Sequence, residues 1–324
     1  MRRIVWTFLF LGFLPGALRA ETGQGGEALS WLEKIAAAAH QLNYSGTYVY
    51  QYGNRVETSR ITHYVDGTGE REKLEALDGP PRELIRNNRE VLCYLPEDNT
   101  VTVERHSARK FFPAILPERA GALGAYYTIK LGGRERVTGH ECQVVLLEPK
   151  DAFRYGHKLF ADVATGLLLK ASQFNEKNEL VDQFAFTQID IGGPIDESRL
   201  KPNPSWKKLT WRTDPVVAGK ADENDSNWVV SDLPPGFHKI MEMKRKLPGR
   251  KTPVEHMVYS DGLVAVSVFV EPIVGKRHLA EGFSSQGVIN VYSRPIFGHQ
   301  VTVLGEVPAA TVMQIANSVS RKPR

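Results

Sequence analysis

The stretch NYSGTYVYQY, residues 43–52, places Tyr48, Tyr50 and Tyr52 at every second position. Side chains along a strand alternate between its two faces, so the three rings are expected on one side of a sheet. Period two persists downstream and predicts strands over 46–52, 57–65, 70–76, 82–87, 90–95, 100–104, 128–131, 143–147, 154–161, 167–174 and 180–190. Asp66-Gly67, Asp78-Gly79, Asn87-Asn88 and Thr165-Gly166 punctuate these runs as turns. Strands joined by short turns build an antiparallel sheet, because parallel strands need long crossovers. A sheet of about eleven strands must curl or close to bury one face, and its inside holds its own side chains or a ligand.

Before the strands, Leu32, Ile35, Ala36 and Ala39 recur at helical spacing and predict a helix over 27–41. After them, Pro194, Pro202, Pro204, Pro215 and the polar run ADENDSN (221–227) mark a connection. Further strands are expected at 237–245, 254–260, 263–271, 287–293 and 299–305, with turns at 251–253 and Asp261-Gly262. A last helix begins at Pro308 and presents Val312, Ile315, Ala316 and Val319 on one face. The division expected is a signal peptide at 1–20, a large domain at 21–200, a linker at 201–227 and a small α+β domain at 228–324.

Residues 1–20 set the expected compartment. Arg2 and Arg3 precede an apolar run over 4–14, and Ala17-Leu18-Arg19-Ala20 ends in a small residue suited to cleavage before Glu21. The run is about half the roughly 20 residues a spanning helix needs, so export from the cytoplasm is favoured over anchoring. Cys93 and Cys142 are the only cysteines, too few for a disulfide-stapled scaffold. Export permits a bridge between them, which would remove roughly 4 kcal/mol of unfolded-chain entropy; two separate buried thiols fit equally well. The net charge of +4 is uneven, with 12 Lys and Arg against 7 Asp and Glu over 228–324, but 26 against 30 over 21–227. Outside the cytoplasm nucleic acid is not the expected partner; anionic headgroups or an acidic protein segment suit the basic second part.

No set of catalytic residues emerges. The nine histidines include no i, i+4 zinc pair, and no CxxC, GxSxG, GxxxxGK[ST] or helix-opening GxGxxG occurs. In His140-Glu141-Cys142 neighbouring side chains point to opposite faces, which argues against a metal site there; no cofactor is expected. Glu70 and Glu72 read as a solvated strand face, and Gly121-Ala122-Leu123-Gly124 as a flexible loop.

The unusual feature is apolar. Arg109-Lys110-Phe111-Phe112-Pro113-Ala114-Ile115-Leu116-Pro117 lies in a long stretch between strands, and leaving Phe111, Phe112, Ile115 and Leu116 in water would be costly. The loop either tucks these side chains under itself or covers an apolar cavity. Phe184 and Phe186 repeat the tyrosine spacing on the last strand of the sheet. Tyrosine joins an apolar ring to a hydroxyl that wants a partner, which fits either packing or a cavity for acyl chains near water.

Three segments together carry a resemblance: GRERVTGHECQVVLLEPKDAFRYGHKLFADVATGLLLKASQF (133–174), WVVSDLPPGF (228–237) and VYSDGLVAVSVFVEP (258–272). They resemble the RseB/MucB family of periplasmic regulators of the sigma-E envelope-stress pathway. The resemblance implies a mainly β (α+β) fold: a large unclosed antiparallel β-barrel, similar to the Lol lipoprotein carriers, with helices across its mouth and a hydrophobic cavity, followed by a smaller antiparallel sheet-and-helix domain. It implies a non-enzymatic protein that binds the periplasmic domain of a membrane-bound anti-sigma factor, shields it from the site-1 protease, and is released by lipopolysaccharide or lipoprotein acyl chains. Tyr48, Tyr50, Tyr52, Phe111, Phe112, Ile115, Leu116, Phe184 and Phe186 are the cavity candidates by pattern. Lys244, Arg245, Lys246, Arg250 and Lys251 are candidates for lipid phosphates or an acidic partner segment. A homodimer is left open, and a periplasmic lipid or lipoprotein carrier is the rival reading.

Overall fold

The computed structural model describes residues 21–88, 90–105, 111–213, 226–245, 252–273 and 281–322. The expected signal peptide lies outside them, as do Arg109, Lys110, Lys246, Arg250, Lys251 and residues 214–225 of the expected linker.

A helix, α1 (Glu21–Gln41), opens the described chain and begins before its apolar periodicity does. Ala28, Leu32, Ile35, Ala36 and Ala39 form its buried stripe. Burying Leu32 or Ile35 stabilises the fold by about 1.5–3 kcal/mol each relative to exposure. There follow β1 (Tyr44–Tyr52), β2 (Arg55–Asp66), β3 (Gly69–Ala76), β4 (Glu83–Asn87), β5 (Glu90–Leu95) and β6 (Thr100–Arg105). After the long loop come β7 (Tyr127–Val137), β8 (His140–Pro149), β9 (Gly156–Asp162), β10 (Leu168–Phe174), β11 (Leu180–Ile191) and β12 (Thr210–Thr213).

These strands form one sheet in the order β12-β6-β5-β4-β3-β2-β1-β11-β10-β9-β8-β7. Two meanders are thus joined along the β1/β11 seam, and the end strands β12 and β7 leave the sheet unclosed. Every pair is antiparallel except β12 with β6. The sheet is therefore mixed, because a short strand returns from the expected linker to cover the β6 edge. Residues leading to it are strapped down too: Lys73 Nζ donates to the Lys201 carbonyl at 2.9 Å and Arg199 to Ser45 Oγ at 2.6 Å. Gly121–Gly124 is not a flexible loop but part of a 3-10 helix, Ala120–Ala125, anchored by buried Leu123 beside α1.

The second unit contains β13 (Trp228–Val230), β14 (His238–Arg245), β15 (Val254–Ser260), β16 (Ala265–Pro272), β17 (Gly282–Gln286), β18 (Ile289–Ile296), β19 (His299–Gly305), α2 (Ala309–Asn317) and β20 (Val319–Arg321). Six of its strands form an antiparallel sheet, β14-β15-β16-β19-β18-β17, while β13 and β20 pair separately. Its core joins Val266, Val268, Val301 and Val303 of the sheet to Val312 and Ile315 of α2.

Candidate functional site

Alternation along β1 does place the tyrosines on one face, and the β1/β11 register sets Tyr48 opposite Phe186 and Tyr50 opposite Phe184. Tyr50 stacks on Phe184 with centroids 4.1 Å apart, and Tyr52 tilts against Tyr50 at 4.9 Å. Tyr52 also donates to Glu57 Oε1 at 2.7 Å. The row grades from buried Tyr48 to half-buried Tyr52, whose ring lies next to Gly287 of the second unit.

The long loop supplies the other half of this cluster. Phe112, 2% exposed, sits 5.2 Å from Tyr48, 5.4 Å from Phe184 and 5.1 Å from Phe186. Leu116 is buried and Ile115 packs against the same core, while half-buried Phe111 lies under the Arg86 guanidinium at 5.2 Å. The loop therefore neither tucks under itself nor leaves the aromatic face open; its own side chains occupy that face. Burial raises the Tyr48 and Tyr50 phenols, for Tyr50 with help from Glu306 and Asp182, so both rings stay neutral.

Beside Tyr50 the two units meet. Asp182 on β11 is 1% exposed and its Oδ2 has no hydrogen-bond partner. Burial, reinforced by the charge of Glu306 from the second unit, pushes its carboxyl from 3.8 up to about 7. A second contact is fully buried: Arg154 Nη1 donates to Asp261 Oδ2 at 3.0 Å and Nη2 to the Pro235 carbonyl at 2.6 Å. Its guanidinium also lies 4.9 Å from the Tyr126 ring and 5.6 Å from that of Phe237. Thr311 of α2 donates to the Phe153 carbonyl at 2.7 Å, and Asn290 to the Tyr155 hydroxyl at 3.2 Å. Gly236 makes the approach feasible: its φ is +83°, and a Cβ there would meet Tyr126 at 2.5 Å.

Comparison with known proteins matches the described sheets to two family models. The MucB/RseB N-terminal domain matches residues 27–204, and the MucB/RseB C-terminal domain residues 222–320. The chain belongs to the MucB/RseB family. Among curated relatives, "Sigma factor AlgU regulatory protein MucB" of Pseudomonas aeruginosa is 33% identical over 94% of this chain and 95% of its own. "Sigma-E factor regulatory protein RseB" of Haemophilus influenzae is 27% identical over 89% of each. Among solved structures, "Crystal structure of MucB in complex with MucA(peri)" has a TM-score of 0.74 at 29% identity, covering 92% of this chain and all of that one. The complex of Pseudomonas aeruginosa MucA and MucB also gives 0.74, at 28% identity over 92% of this chain and 100% of that one. These MucB/RseB relatives are described as regulatory proteins, and among the described residues no helix is long and apolar enough to cross a membrane.

In this MucB/RseB chain the two described basic candidates lie on a different sheet from the aromatic ones. Lys244 and Arg245 lie on β14, an edge strand of the second sheet, with Lys244 3.5 Å from Glu255 Oε1 and Arg245 3.5 Å from His256 Nδ1. The bridge left open by the sequence is not formed: Cys93 on β5 and Cys142 on β8 are both thiols. Seven strands separate β5 from β8 in the sheet, a distance along it that spacing in the chain does not reveal. Burial, then the Asp162 charge, pushes the Cys142 thiol up to about 11. His140 and Glu141 do diverge, His140 to Asp162 at 3.1 Å and Glu141 to Arg134 at 3.2 Å.

Sequence reasoning missed two features. Asp182 and Arg154 sit in runs otherwise read as strand, where a lone charge gives no sign of burial. Glu70 and Glu72 are not a solvated pair: they share a face of β3 that turns toward the end of α1, Glu72 is buried, and Glu70 meets His40 and His63. The available signal was His63 placed two-periodically with Ile61 on an apolar face.

Proposed function

We propose that this protein is a periplasmic regulator that holds the periplasmic region of a membrane-bound anti-sigma factor, shields it from site-1 proteolysis and lets go when lipopolysaccharide or another acyl lipid binds. It thereby restrains a sigma-E-type envelope-stress response. The observation that carries this reading is family membership over residues 27–204 and 222–320, together with a relative whose solved structures bear the names of MucB and MucA. Residues 1–20 direct export, 21–200 form the lipid-responsive domain, 201–227 connect, and 228–324 form the second domain.

The loop over the aromatic face supports a switch. An acyl chain reaches Tyr48, Phe184 and Phe186 by displacing Phe112 and Leu116, exchanging one apolar occupant for another. Tyr50 and Tyr52 continue the same face to the second domain, so a lipid that moves the loop also changes what the partner meets. Lys244 and Arg245 offer charge for phosphate groups or an acidic segment. A ligand releases the partner only by as much as it prefers the free form over the complex.

The test is a pull-down of the purified protein with the periplasmic segment of its cognate anti-sigma factor, with and without lipopolysaccharide. Capture that lipopolysaccharide weakens is the expected result. No capture under either condition would overturn the regulator reading and leave the lipid or lipoprotein carrier.

A further inference from the structure

Beneath the last turn of α1, four side chains from three elements converge. His40 ends the helix; His63 on β2 pairs directly with Glu72 on β3, and Glu70 lies two residues earlier on the same face. The nearest donor atoms of His63, Glu70 and Glu72 all lie within 4.8 Å of one another. His40 Nδ1 approaches both Glu70 oxygens, at 3.3 and 3.2 Å.

The orientation of His63 is the informative part. Its ring is fully buried, stacked on Tyr44 at 4.6 Å and 8°. Its Nδ1 is 2.8 Å from the Leu42 carbonyl, an atom that can only accept, so Nδ1 carries the hydrogen. In the neutral ring Nε2 is then a bare lone pair, and it faces Glu70 Oε1 at 3.0 Å. Two acceptors at that distance repel unless a cation lies between them. A shared proton would answer one such contact. It would not explain why the buried Glu72 carboxylate is directed to the same point.

The geometry points to a divalent metal site formed by His63, Glu70 and Glu72, with His40 held against Glu70 as its outer partner, of the borderline class that zinc represents. Mixed imidazole and carboxylate donors suit zinc, whose bonds to either are about 2.0–2.2 Å. A ligating imidazole commonly donates its other N–H to a carbonyl, as His63 does to Leu42. Half-exposed His40 and Glu70 leave an entry from solvent. Such an ion would pin β2 to β3, and His40 would hold the end of α1 to it through Glu70. Arg86, opposite Glu72 on β4, is the competing cation for that carboxylate.

The experiment is calorimetric titration of tag-free protein with zinc chloride at neutral pH, repeated on His40→Gln and Glu72→Gln, with circular dichroism to establish that each variant is folded. One saturable zinc per chain is expected, with affinity reduced about tenfold or more in each variant. His40→Gln alters a half-exposed side chain, so it remains informative if Glu72→Gln disturbs the fold. Absence of saturable uptake by the unmodified protein would mean that a proton holds the cluster and would overturn the assignment. Unchanged binding in both folded variants would place the metal on other histidines and overturn it equally.

Discussion

Replacing Asp182 by Asn should make the protein more stable at neutral and alkaline pH and leave it unchanged in acid. The carboxyl is buried, one oxygen lacks a partner, and its pKa rises from 3.8 to about 7. Between those values the folded state holds a proton that the unfolded chain has lost. Stability therefore falls as pH rises through this window and levels off above it. At about 1.36 kcal/mol per pH unit, the loss on going from pH 3.8 to pH 7 is about 4 kcal/mol. Asn mimics the protonated acid at every pH. Urea unfolding of both proteins across the range should show equal stability near the acid limit and a gap that opens to about 4 kcal/mol above neutrality. Equal stability at alkaline pH, or a gap that opens in acid instead, would refute the reasoning.

Two further substitutions probe the contacts between the units and the loop. Arg154→Ala leaves the buried Asp261 carboxylate with the backbone N–H groups of Leu263 and Val264 alone, and should cost about 3–5 kcal/mol, read as a lower urea midpoint; an unchanged midpoint would show that the ion pair does not hold the units together. Phe112→Ala removes the ring packed on Tyr48, Phe184 and Phe186, at a cost of about 3–5 kcal/mol. It should also increase binding of an apolar fluorescent dye, and a folded variant with unchanged dye uptake would argue that the loop does not cover the face.

Short-range pattern made much of the architecture legible. The strands expected at 90–95, 254–260 and 299–305 coincide residue for residue with β5, β15 and β19, because each is a clear alternating run between turn residues. β12, β13, β17 and β20 escaped, being three to five residues long and defined by their partners more than by their own composition. The sequence by itself determined the antiparallel meanders, the common face of Tyr48, Tyr50 and Tyr52, and the family. Only the tertiary structure decided that Phe112 fills that face, that Arg154 meets Asp261, and that His63, Glu70 and Glu72 share one point. Alternation says which side of a strand a residue occupies, but not which distant segment packs there. A buried charge reads the same in sequence as a solvated one until its partner, far along the chain, is in place.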